Sequence, residues 1–204
     1  GDGLVTGMTT ASRGSSLLGH ALLDACKDLQ KDLQGATLAD LAGRSYEGNW
    51  VCDWTTDSFH GVAPDEPVTH YSYGFAAQMV ELDESGQVAR VIAAHDAGRI
   101  INPLLFQGQI EGAVHMGLGY ALSEDFPMTG GRPDSLKYRD LGVLRCAETP
   151  PVDVIGIESD DPHGPHGVKG VGEIGLVPTA GAVACALRAF DGVKRSALPM
   201  RRKS

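Results

Sequence analysis

The sequence predicts an α+β fold in which mixed and antiparallel strands and hairpins pack with several helices, and three observations carry that expectation. Apolar side chains recur at helical spacing in residues 15–33 and 102–122. Two β-prone runs flank the turn residues Asp83-Glu84-Ser85-Gly86, and a further strand-like run, 152–157, stands apart from them. Helices separated from hairpins favour α+β.

Ser15 or Ser16 can cap the first helix, which runs to about Leu33 with Leu18, Leu22, Ala25, Cys26, Leu29 and Leu33 on its inner side and Gly35 as the stop. Thr37 to Ala42 suggests a short second helix. Glu47 to Thr55 and His70 to Leu82 read as strands, the latter rich in Tyr71, Tyr73, Phe75, Met79 and Val80, and Val88 to His95 completes a hairpin. The proline, histidine and acidic residues between Thr56 and Val68 make a surface loop. Asn102-Pro103 is a good helix opening, and Ile110, Ala113, Val114, Gly117, Leu118, Ala121 and Leu122 give that helix a buried stripe. Gly108, Gly112, Gly117 and Gly119 cost it up to ~1 kcal/mol each relative to alanine. Something therefore approaches it closely: a packed strand or helix, or a bulky cofactor. Residues 127–151 cross the surface, with Tyr138 to Leu144 able to pair briefly, and Val152 to Ile157 is the last strand. Pro178 then starts a helix whose inner face holds Ala180, Val183, Ala184 and Leu187, ending at Asp191-Gly192.

The chain of 204 residues carries a net charge of -9, which argues against nucleic acid or an anionic membrane as a general partner. No apolar run reaches the roughly 20 residues of a membrane helix. Cys26, Cys52, Cys146 and Cys185 lie far apart with no CxxC or Cys/His cluster, so neither structural zinc nor an iron-sulfur cluster is expected here. Reduced thiols fit a cytoplasmic protein, with Cys26 and Cys185 as small core residues. His163 and His166 lack companions at metal-ligand spacing. The opening Gly1-Asp2-Gly3 points to a piece of a longer polypeptide or a subunit of a complex.

The stretch His166 to Ala184 is the most informative, because it sets Glu173 in a glycine-rich bend ahead of an apolar helix. Gly170, Gly172 and Gly175 let the backbone turn and approach a bound group. A lone acid held there is expected to be poorly solvated and able to act as a base. Gly170 to Gly175 also fits the GxGxxG pattern, but the polar loop Asp160 to Pro165 stands where a dinucleotide site needs a strand. A nicotinamide-binding oxidoreductase is accordingly the third reading. The loop from Thr9 to Gly14 feeds a helix N-terminus, whose unpaired amides suit phosphate or the polar edge of a cofactor; the alternative is a capped loop and nothing more. Gln109 can offer both a donor and an acceptor. Glu111 reads as a satisfied buried carboxylate or structural partner.

Three segments, in this order, resemble the C-terminal part of the molybdenum-binding subunit of the xanthine dehydrogenase and aldehyde oxidase family of molybdenum hydroxylases. They are Thr9-Thr10-Ala11-Ser12 through Gly19-His20-Ala21; Tyr71-Ser72-Tyr73-Gly74 through His95-Asp96-Ala97-Gly98-Arg99-Ile100-Ile101-Asn102-Pro103 and Gln107-Gly108-Gln109-Ile110-Glu111-Gly112; and Lys169-Gly170-Val171-Gly172-Glu173. The likeness covers most of residues 4–200. It implies that residues 1–204 are the C-terminal part of a molybdopterin-binding domain, as a fragment or a separate subunit.

The resemblance implies Glu173 as the active-site base and Gln109 as a pterin contact. It implies that Thr10, Ala11, Ser12, Arg13, Gly14 and Ser15 wrap the pterin and its phosphates, Ala11 lying closest to the metal, and that Val171 and Gly172 also meet the cofactor. Arg13 is not a general family feature, and Gly14 stands where some members carry serine. No side chain here is expected to ligate the metal. The implied cofactor is molybdopterin, with or without a cytosine dinucleotide. Electrons would leave through 2Fe-2S clusters and FAD on partner domains or subunits. The N-terminal part of the molybdenum subunit would orient the substrate, so this chain would be inactive alone and would work in an oligomer. Asp140 to Arg145 and Glu173 to Pro178 look closer to a bacterial purine-hydroxylase subgroup. The expected reaction is therefore oxidative hydroxylation of a purine or other N-heterocycle with water as oxygen source. Aldehyde oxidation is the alternative within the family, and a cofactor-free scaffold or binding domain is the rival from outside it.

Overall fold

Small residues, more than large apolar ones, pack the first of two units into which the computed structural model divides. This unit comprises Gly1–Tyr73 and Ser159–Gly170, the second Gly74–Glu158 and Val171–Ser204, and the described residues are 9–52, 55–56 and 72–200. Helix α1 spans Gly14–Asp32. Its N-cap is Arg13 with no side-chain cap, so Ser15 and Ser16 lie inside the first turn and do not open the helix as expected. The expected inner face is also rotated: Leu18 and Leu22 are 54% and 66% exposed, whereas Ser16 is buried. Close backbone approach accounts for this. Pro165 fills the space beside Gly19, and a β-carbon on Gly48 would collide with the carbonyl of Ala21. The same side of α1 carries His20, stacked on Trp50 with ring centroids 4.3 Å apart.

Two further expectations fail in this unit. Thr37 to Ala42 forms only turns; the Asp40 carboxylate accepts bonds from the Thr37 amide at 2.9 Å and hydroxyl at 2.6 Å, a local ring that competes with a helix too short to nucleate by itself. Of the expected strand Glu47 to Thr55, Asp53 and Trp54 lie outside the described residues, and Glu47 to Cys52 is not a strand, because the chain there lies against α1 and pairs with no described strand. Residues 57–68 of the expected loop, and His70 and Tyr71 of the next expected strand, lie outside the described residues.

The second unit follows the sequence pattern closely. Strands β1 (Ala76–Leu82) and β2 (Val88–Asp96) form the expected antiparallel hairpin. Its turn is closed by Gly86 N–H donating to Asp83 O and Asp83 N–H to Gln87 O, both at 2.9 Å, with Gly86 at φ 77°. Helix α2 (Pro103–Leu122) starts where Asn102 Oδ1 accepts from Leu105 N–H at 3.1 Å. The surface stretch that follows holds the two-residue strands β3 (Met128–Thr129) and β4 (Arg132–Pro133). Tyr138–Asp140 is a 3-10 turn instead of the strand considered for that segment. Strand β5 (Val152–Ile157) joins β2 in parallel, giving a mixed sheet of order β1-β2-β5. Helix α3 (Thr179–Asp191) ends on Gly192 in the left-handed conformation at φ 75°.

Strand parity decides which side chains form the core. Gln78 and Val80 of β1, Val91, Ala93 and His95 of β2, and Val152 and Val154 of β5 share one face through the pairings Gln78 with Ala93, Val80 with Val91, and Val91 with Val152. Phe106, Ile110, Val114 and Leu118 of α2 and Val183 and Leu187 of α3 complete the cluster. The observed α+β class matches the expectation. The cysteines are free, and Cys185 is exposed while Cys26 is half-buried, so neither is the core residue expected.

Candidate functional site

The bend carrying Glu173 is built by what its neighbours bury. Ile174–Leu176 forms a 3-10 turn in which Ile174 packs on the core and Gly175 lies against α2, where an added β-carbon would stand 2.8 Å from Ala113 Cβ. With those two turned inward, Glu173 faces outward. Its side chain is exposed, so the poorly solvated acid expected from the glycine spacing is not what this chain displays. No described residue donates a hydrogen bond to its carboxylate. The turn itself is closed by Leu176 N–H donating to the Glu173 carbonyl at 3.1 Å. A solvent-facing carboxylate on a fixed backbone is free to accept a proton from a bound molecule or water.

Gln109, Val171, Gly172 and Glu173 belong to the same unit. Gln109 projects from α2 and donates Nε2–H to the Val171 carbonyl at 3.1 Å, two residues before Glu173. That leaves Oε1 as the acceptor this side chain can present to a ligand. Glu111 is half-buried and accepts from Gln107 Nε2 at 2.7 Å, the structural partnership expected of it.

Beyond Glu173 the support comes from residues that carry no motif. Gln78 Nε2 donates to the Gly175 carbonyl at 2.7 Å and lies 3.0 Å from His95 Nε2, while Gln78 Oε1 accepts from Thr179 Oγ1 at 2.8 Å. Thr179 is fully buried and His95 is 1% exposed. Burial holds the His95 imidazole below its ordinary pKa, favouring the neutral ring. His95 Nδ1, on the other side of the ring, is buried with no hydrogen-bond partner among the described residues. The sequence signal for these residues is parity: Gln78 alternates with Val80, and His95 with Val91 and Ala93, so both polar side chains fall on the core face.

Thr10, Ala11, Ser12, Arg13, Gly14 and Ser15 belong to the other unit. Ala11 and Ser12 both take left-handed backbone, with φ 57° and 53°, uncommon for single non-glycine residues and rarer still in succession. The loop delivers the chain into α1, whose first turn contains no acidic residue and no side-chain cap, leaving its leading amides without helical acceptors. Gly170 admits this loop: a β-carbon there would run into the Ser12 carbonyl oxygen. Uncapped amides at a helix start, hydroxyls at Thr10, Ser12 and Ser15, and the absence of acid form a donor set that fits an anionic, oxygen-rich group such as a phosphorylated pterin.

Residues 3–150 match the family of molybdopterin cofactor-binding domains. The 6-hydroxypseudooxynicotine dehydrogenase complex subunit gamma of Paenarthrobacter nicotinovorans is 37% identical over 138 residues, which cover 64% of this chain and 17% of that protein. A probable xanthine dehydrogenase subunit of Bacillus subtilis (strain 168) is 28% identical over 228 residues, covering 97% of this chain and 31% of its own length. The solved aldehyde oxidoreductase of Desulfovibrio gigas aligns with a TM-score of 0.72 and 27% identity, over 96% of this chain and 23% of that one. The chain thus spans less than a third of each of these relatives. Glu173 lies beyond the family match, in the part reached by the two longer alignments. The chain belongs to the molybdopterin cofactor-binding domain family and is a member of the molybdenum hydroxylases, alongside the molybdenum subunits of xanthine dehydrogenases and aldehyde oxidoreductases.

Proposed function

We propose that this chain supplies the base and cofactor contacts of an enzyme that hydroxylates a purine or related N-heterocycle, with water as the oxygen source. The observation that carries this reading is Glu173, an outward-facing carboxylate on a turn whose flanking carbonyls are held by Gln109 and Gln78. When bound, the molybdenum cofactor supplies the two-electron acceptance that the oxidation requires. The carboxylate of Glu173 accepts a proton as the oxygen of water becomes nucleophilic towards an electron-poor ring carbon. The balance is substrate C–H plus water giving C–OH, two protons and two electrons. Backbone amides of the segment Thr10 to Ser15 hold the pterin phosphate, Gln109 Oε1 accepts from the pterin, and Val171 and Gly172 let the backbone lie close to it.

The electrons leave through 2Fe-2S and flavin groups on partner subunits, and the rest of the molybdenum subunit orients the substrate. Relatives whose names include xanthine dehydrogenase and 6-hydroxypseudooxynicotine dehydrogenase support the heterocycle. The likeness to aldehyde oxidoreductase supports an aldehyde as the second reading. Glu173→Gln in the assembled enzyme tests the assignment. Turnover is expected to fall by about 10²–10⁴-fold, the usual contribution of a general base, with molybdenum content nearly unchanged. Substantial residual hydroxylation removes Glu173 from the base role.

A further inference from the structure

We propose that Gln78 and Thr179 are positioning residues for Glu173, forming a buried polar clasp that fixes the backbone immediately after the carboxylate. The inference rests on the reading of Glu173 as the base, but its geometry is independent of that reading. The Gly175 carbonyl takes its short bond from Gln78 Nε2, at 2.7 Å, and Thr179 Oγ1 stands 3.1 Å from the same oxygen. A hydroxyl has one proton, and with Gly175 already served by the amide, Thr179 directs its own to Gln78 Oε1 at 2.8 Å. That bond sets the amide orientation. Reversing the amide would set its oxygen 2.7 Å from the Gly175 carbonyl oxygen, two acceptors in repulsion.

Three elements converge here. Gln78 comes from β1, His95 from β2 and Thr179 from the first residue of α3, and each is anchored by the core around it. The turn bearing Glu173 is therefore tied to the sheet on its C-terminal side as well as to α2 on its N-terminal side, through Gln109 and Val171. Backbone anchored on both sides of Glu173 fixes the position and direction of its Cα–Cβ bond, from which the exposed side chain reaches. Such preorganisation raises the rate of a positioned proton acceptor more than it changes substrate affinity.

The test is amide hydrogen exchange across residues 171–177 in the full chain, comparing the parent with Thr179→Val, Thr179→Ser and Gln78→Met. Thr179→Val keeps shape and removes the hydroxyl; Thr179→Ser restores it. The expected result is roughly tenfold faster exchange at the Leu176 amide in Thr179→Val and Gln78→Met, the size of one lost buried hydrogen bond. Parental exchange is expected in Thr179→Ser and, for all three variants, in β2 and the C-terminal half of α3. Unchanged exchange at Leu176 in both deletion variants overturns the clasp, and so does acceleration spread evenly through the unit, which marks loss of general stability. In the assembled holoenzyme the same two variants are expected to lower kcat with little change in KM, and Thr179→Ser to recover it. Glu173→Gln in that assembly separates the two claims. Full turnover there removes the base assignment while leaving the exchange result intact.

Discussion

Thr179 occupies the space beside Gly117 that any larger residue at that position would need: a β-carbon on Gly117 would stand 2.6 Å from Thr179 Cβ and 2.7 Å from its hydroxyl oxygen. The glycines of α2 consequently divide into two kinds. Gly117 is required by the start of α3, whereas Gly108 and Gly112 have nothing within 4 Å of the position a β-carbon would take. Gly117→Ala is expected to destabilise the chain by about 1–3 kcal/mol through overpacking, and to disturb the Thr179 bond to Gln78. Gly112→Ala is expected to stabilise it by up to ~1 kcal/mol through helix propensity. Thermal unfolding of both variants checks the pair, and shifts of the same sign would contradict this packing.

Gly170 and Ser12 give a second prediction. Because an added β-carbon meets backbone, relief requires moving the loop and not rotating a side chain. Gly170→Ala is expected to lower the pterin content of the assembled enzyme and to reduce chain stability by about 1–3 kcal/mol. Pterin assay and melting temperature read the two effects, and parental values in both would show that the loop does not depend on Gly170.

A pH dependence follows from His95. Its folded pKa lies below the ordinary value because the ring is buried, so between the two values the unfolded chain binds more protons than the folded one. Stability is thus highest above the unfolded value of about 6.5 and falls as pH drops through the window beneath it, by at most ~1.4 kcal/mol per pH unit. Urea midpoints measured from pH 7.5 to 5 are expected to fall less steeply in His95→Leu than in the parent. Parallel slopes would mean that His95 titrates alike in both states.

Where one period rules, the fold is legible in the sequence. Strands β2 and β5, helix α2 from its Asn-Pro opening, and helix α3 with Val183 and Leu187 inside all follow from spacing alone. Spacing fails where small residues make the contact. Periodicity puts Leu18 and Leu22 on the inner face of α1, yet Gly19 and Ala21 are the residues approached by Pro165 and Gly48. Tyr138 to Asp140 departs from the expected strand for a different reason: Ser135 donates to Asp140 at 2.7 Å and accepts from the Lys137 amide at 3.1 Å, turning the chain before a strand can form.

The site divides in the same way. Glycine spacing marks the bend at Glu173 but not its direction, which depends on Ile174 and Gly175 taking the inward positions. Gln109 stands out in the sequence as a side chain that offers both a donor and an acceptor, and its donor goes to Val171. Gln78 and His95 are visible only as polar residues in phase with buried apolar ones, a pattern that becomes informative once the strands are paired.

Molybdenum and pterin analysis of this chain, purified with the proposed partner subunits and then alone, decides whether it belongs to a cofactor-bearing enzyme. The predicted result is molybdenum and pterin in near-stoichiometric amount with the chain in the assembly. Absence of both from the assembly, in a host confirmed to make the cofactor, would contradict the account and leave a scaffold that keeps the fold without the chemistry.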